Sequence, residues 1–145
     1  MVVRIGCLVP DKKRHFFKVL QQANDDDVRF SLITSQELLS GASIDVLLHK
    51  LSHTMVHASK DPIRQSELDE IEDYLLRHPE ILVVDPLDRV KSLIRRDHLY
   101  GLLQQHVNVP AYVTAFPDTL IPLDFPSICK HIDACGTVYG RWTHL

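Results

Sequence analysis

The chain has 145 residues, of which 45% are hydrophobic and 24% charged, and its formal net charge is −3. That length and composition suit one globular domain, or one domain and the start of a second, and argue against disorder. The slightly acidic balance supplies no bulk basic field for a nucleic acid, and no apolar run approaches the ~20 residues a bilayer span needs.

The opening segment Val2–Val9 is almost continuously apolar and of strand length, as expected for a strand covered on both faces. It lacks a basic leader and a small-residue cleavage site, so it reads as a strand and not as a signal peptide. Pro10-Asp11 punctuates it, and Asp11 is placed to cap a helix that carries Lys12-Lys13-Arg14 and the apolar positions Phe16, Phe17, Val19 and Leu20. That helix should stop near Asn24–Asp27. Val28–Ile33 reads as a second strand, and Ser35–Leu39 as a short turn or helix before the breaker Gly41. Ile44–His49 reads as a third strand. Leu68, Ile71, Leu75 and Leu76 recur at helical spacing, which predicts a helix over Pro62–Arg77 with Pro62 at its start and His78-Pro79 at its end.

Ile81–Val84 reads as a fourth strand closed by Asp85-Pro86. Leu87–His106 is helical in one or two pieces, and short strands are expected at Tyr112–Ala115 and Ser127–Ile132. Strands alternating with helices argue for an α/β layer with a mostly parallel sheet. The cysteines, Cys7, Cys129 and Cys135, are odd in number and none is paired as Cys-x-x-Cys, which fits reduced, buried thiols in a cytoplasmic protein.

Several residues stand where chemistry could occur. Lys12, Lys13 and Arg14 follow the first strand, and ligands of open α/β sheets bind beyond the carboxyl ends of strands. Cations there suit a phosphorylated ligand, the plain alternative being a solvated basic turn. Lys50 ends the third strand and should emerge at the same edge. His49, His53 and His57 are spaced by four, but no Glu or Cys completes a metal-ligand set, so they read as surface or capping histidines. Arg96, in Arg95-Arg96-Asp97, could grip a phosphate bidentately or simply lie on an exposed helix. Lys130, on a short apolar strand before Cys135-Gly136-Thr137, could neutralise nucleotide phosphates, although neither Gly-x-x-x-x-Gly-Lys nor Gly-x-Gly-x-x-Gly is present.

Together, Asp45–Ser52, His78–Leu87, Arg89–Tyr100 and Phe125–Lys130 with Gly136-Thr137 resemble, in content, order and spacing, the inositol 1,3,4-trisphosphate 5/6-kinases, also called inositol-tetrakisphosphate 1-kinases. The similarity runs from about Arg4 to Thr137. It implies a small parallel-sheet N-terminal domain over residues 1–95 and the beginning of an ATP-grasp domain over 96–145. It also implies ATP-dependent phosphorylation of an inositol polyphosphate with Mg2+, in a cytoplasmic monomer that uses neither nucleic acid nor membrane. By position, Lys13 and Lys50 would hold substrate phosphates and Arg96 and Lys130 ATP phosphates, with no metal ligand in this chain.

The chain departs from that pattern after Thr137. The family continues Gly-Thr-x-Ser-His, whereas here Val138-Tyr139-Gly140 follows, so the substrate-binding histidine is missing from its place. The resemblance therefore implies a truncated, inactive form whose residues after about Arg96 expose apolar surface or are loosely ordered. A non-catalytic polyphosphate-binding or protein-interaction module is the alternative. A flavodoxin-like or response-regulator-like domain is disfavoured, because Asp11 has no acidic companions and the Arg96–Lys130 region would have no role.

Overall fold

In the computed structural model of the chain, residues 2–114 and 132 are described, apart from the side chains of Lys12 and Phe16. The strand expected over Ser127–Ile132 (but for Ile132), Lys130, Cys129, Cys135 and the Gly136-Thr137 turn lie outside the described residues. The chain divides into two compact units, Met1–Val90 and Lys91–Leu145.

In the first unit, strands β1 (Val3–Leu8), β2 (Val28–Leu32), β3 (Val46–His49) and β4 (Leu82–Val84) form one sheet in the order β2-β1-β3-β4. All neighbours are parallel, with Cys7 opposite Leu32 on one side and Leu48 on the other, and Leu48 opposite Val84. Parallel strands need crossovers, and here these are α1 (Arg14–Gln21), α2 (Ser35–Leu39), and α3 (Ser52–Ala58) with α4 (Pro62–Arg77). The right-handed crossover rule then sets α1 on one face and α2, α3 and α4 on the other. Leu38, Leu47, Leu68, Ile71 and Cys7 are fully buried, and each large apolar side chain so covered stabilises the fold by about 1.5–3 kcal/mol relative to exposure.

Local signals explain most of the boundaries. Thr34 and Glu37 form a reciprocal capping box at the start of α2: Glu37 N–H donates to Thr34 Oγ1 (3.1 Å) and Thr34 N–H to Glu37 Oε2 (2.7 Å). Gly41 follows α2 with φ +89°, a conformation that suits glycine. Asp61 caps α4 by accepting from Ile63 N–H (3.1 Å), ahead of Pro62. At the amino-terminal rim of the sheet, Arg4 and Asp45 form a bidentate pair (Nε–Oδ2 3.0 Å, NH2–Oδ1 2.6 Å), and Ser43 Oγ accepts from the same guanidinium. That pair holds the Asp45 carboxyl down at about 2.

Three expectations are corrected. Asp11 does not cap a helix through its side chain; it begins a 3₁₀ turn, Asp11–Lys13, and pairs instead with Arg14 at 2.8 Å. Residues 112–114 form no strand. Ser52–Ala58, for which no helix was expected, is α3; it is too short and too mixed in polarity to show a clean 3.6-residue stripe.

The helix α5 (Leu87–Leu93) is followed, in the second unit, by α6 (Arg96–Leu103), so the expected helical segment is in two pieces and stops at Leu103, with residues 104–106 in a turn. Arg95 pairs with Asp97 at 2.6 Å and depresses the Asp97 pKa. Leu102, Leu103, Val107 and Val113 are exposed. Among the described residues no helix is long and apolar enough to cross a membrane.

Candidate functional site: a cationic cleft at the sheet's switch point

The strand order fixes where a ligand can enter. From β1 the chain crosses to β2 on one side, and from β3 it crosses to β4 on the other. The connections therefore leave β1 and β3 toward opposite edges of the sheet, which opens a crevice beyond their carboxyl ends, the usual ligand position in open α/β sheets. A cavity of about 300 Å³ opens there, lined by Cys7, Val9, Lys13, Phe17, Leu20, Leu48, His49 and Lys50.

Each element contributes for a local reason. Cys7 and Val9 come from the end of β1, and Leu48, His49 and Lys50 from the end of β3. Cys7 and Leu48 are register partners, so they share a face of the sheet. Phe17 and Leu20, three apart on α1, lie on one side of that helix and complete an apolar wall. Lys13 stands at the N-terminal boundary of α1, and both it and Lys50 are exposed. Two lysines from segments far apart in sequence thus line the same apolar cavity. Burial pushes the Cys7 thiol pKa up, which leaves it a packing group and not a nucleophile.

His49 is the residue that sequence reasoning placed wrongly. It is only 8% exposed, not a surface side chain. Its Nε2 lies 2.8 Å from the Asp85 carbonyl oxygen, and its Nδ1 lies 3.4 Å from Leu51 N. Asp85, at the end of β4, has φ +60°. Burial lowers the His49 pKa, outweighing the attraction of Asp85. A histidine ending a strand of buried alternation, with Asp-Pro closing the next strand, was the available signal. His53 and His57 form an edge-to-face ring pair on α3, with centroids 4.6 Å apart. Among the described residues no group of three or more His, Cys, Asp or Glu could hold a metal ion.

Of the four residues expected to hold phosphates, Lys13 and Lys50 line the same cavity. Arg96 belongs to the second unit, half-buried at the first position of α6, with its backbone N–H donating to Ile132 O (2.7 Å). Lys130 falls outside the described residues.

Fold and cleft define an α/β module with a doubly wound parallel sheet and a two-lysine crevice at its switch point. No protein-family model matches the chain. It is similar to inositol-tetrakisphosphate 1-kinases: to that of Xenopus laevis at 29% identity over 112 residues (65% of this chain, 28% of the relative), and to that of Danio rerio at 32% over 109 residues (70% and 27%). The chain thus spans little more than a quarter of the length of these curated relatives.

Proposed function

We propose that the switch-point cleft binds the phosphates of an inositol polyphosphate through Lys13 and Lys50, as the substrate-holding part of an ATP-dependent kinase. The observation that carries this reading is the presence of those two lysines, from α1's start and β3's end, on one cavity of about 300 Å³. The names of the relatives support the substrate class and the reaction type.

Phosphoryl transfer is catalysed chiefly by positioning and by neutralising charge. A polyphosphate acceptor carries several negative charges close together, and ammonium groups reduce their mutual repulsion and fix the acceptor in the crevice. The apolar wall of Phe17, Leu20 and Leu48 borders the cleft on one side. In this reading residues 1–95 form the substrate-binding domain and 96–145 begin an ATP-grasp domain, in which Arg96 and Lys130 hold ATP phosphates. The described residues do not fit a magnesium site, so no step is assigned to that ion here. A cytoplasmic monomer fits the same reading.

Calorimetric titration of inositol hexakisphosphate into the chain and into the Lys13→Ala/Lys50→Ala variant tests the assignment. Saturable binding by the parent and loss of most affinity in the variant is expected; equal affinity in both refutes it. A second reading, a polyphosphate-binding module without turnover, is favoured by one observation: both cleft lysines lie within the first unit. Incubation with ATP, magnesium and an inositol tetrakisphosphate separates the two, since only a kinase yields ADP in step with product.

A further inference from the structure

We propose that His49 is a positioning residue for Lys50, locking the backbone on both sides of it so that its ammonium is presented to the cleft. The inference rests on the anion-binding reading given above. Lys50 itself donates its N–H to Leu8 O (2.9 Å), which ties it to the end of β1. The next amide, Leu51 N–H, turns back to His49 Nδ1 at 3.4 Å. The same ring reaches the Asp85 carbonyl through Nε2 at 2.8 Å. His49 therefore braces Lys50 from one side, toward Leu51, and anchors the end of β3 to the turn after β4 on the other.

The proton inventory is consistent. A carbonyl can only accept, so Nε2 carries the hydrogen and Nδ1 presents its lone pair to Leu51 N–H. Both ring nitrogens are used, and the arrangement requires a neutral imidazole. Burial favours that form; the charged groups acting on the ring, Asp85 from the β4 turn and Lys50 from its own strand, pull in opposite directions. Asp85 adopts a left-handed φ of +60°, a conformation that surrounding bonds must hold for a non-glycine residue. Its carbonyl is thereby directed to the imidazole. A lysine whose backbone is already held loses less freedom when an anion arrives, and that preorganisation appears as affinity.

The test is a set of double-mutant cycles on the full chain, read by titration with inositol hexakisphosphate, with circular-dichroism melts confirming that each variant is folded. His49→Phe keeps the ring's bulk and removes both hydrogen bonds. His49→Gln keeps a donor for the Asp85 carbonyl and serves if the Phe variant does not fold. The expected result is an affinity loss of about 5-fold for His49→Phe and a smaller loss for His49→Gln. Both losses vanish when Lys50 is already alanine and persist when Lys13 is alanine.

A His49 effect of the same size in the Lys50→Ala background would overturn the positioning role, and so would the absence of any effect. Failure of the parent chain to bind, or indifference to Lys50→Ala, overturns the anion-binding reading and this inference with it. Loss that depends on Lys50 but not on His49 overturns the inference alone.

Discussion

Replacing Gly6 with alanine adds one methyl group at the centre of the sheet. A Cβ built there meets Ile33 Cδ1 at 2.8 Å and both Cδ1 and Cγ2 of Ile44 at 3.0 Å, well inside the ~3.5–4.0 Å of favourable carbon contact. Ile33 is 7% and Ile44 8% exposed, so neither can swing into solvent. The Ile33 methyl is the end of a side chain and can rotate, but Ile44 Cγ2 is a β-branch with little χ1 freedom. Overpacking of this kind costs about 1–3 kcal/mol, and the smaller entropy of the unfolded alanine chain offsets about 0.4–1 kcal/mol of it. A net loss of about 1–2 kcal/mol lowers Tm by about 5–15 °C for a domain of this size. Thermal melts followed by circular dichroism read it directly. The Gly6→Ala/Ile33→Val double variant, which removes the 2.8 Å contact, should recover part of the loss. An unchanged or raised Tm in the single variant would show that the strand does not pack as described.

Three further outcomes follow from the same packing. Asp45 is held at about 2 against an ordinary 3.8, a depressed carboxylate; its contribution is complete above 3.8 and fades as pH falls toward 2. Urea titrations of Asp45→Asn should therefore show reduced stability at neutral pH and a gap from the parent that closes between pH 4 and 2. His49 is lowered from 6.5, so the neutral ring favours folding above 6.5 and that stability declines as pH falls below it, toward the folded value; His49→Gln should flatten that part of the parent's pH–stability curve in the same assay. Asp61→Ala removes the α4 cap and should cost about 1 kcal/mol in chemical denaturation, with Asp61→Ser nearly neutral.

The legible parts of the fold were those where period and punctuation agree. Pro62–Arg77 has its proline at the first position, a capping aspartate before it and apolar residues three and four apart, and its bounds are those of α4. The four strands were visible as short runs rich in apolar and β-branched residues; the inner pair, β1 and β3, hold the buried positions, while the edge strands β2 and β4 keep exposed ones at Arg29, Ser31 and Leu82. That Lys13 and Lys50 share a cavity followed from strand-end placement, since both leave the carboxyl edge of neighbouring strands. What stayed hidden depends on three-dimensional partners. His49 looked like one of three spaced histidines, and nothing local announces that its ring meets the carbonyl of Asp85, 36 residues away. The apolar floor of Cys7, Val9 and Leu48 reads in sequence as ordinary strand core, and only the approach of Phe17 and Leu20 from α1 makes it the wall of a cavity. Asp11 carried a capping residue type, yet its side chain is engaged by Arg14 one turn on.

Lysine footprinting tests the cleft most directly. The chain is acylated briefly with an amine-reactive ester, with and without saturating inositol hexakisphosphate, and modification is read by peptide mass spectrometry. The account predicts that Lys13 and Lys50 are both protected by the anion while Lys18, exposed on α1 and away from the cavity lining, reacts at the same rate in either condition. Protection of only one of the pair, or equal protection of Lys18, would contradict a single anion held between the ends of β1 and β3.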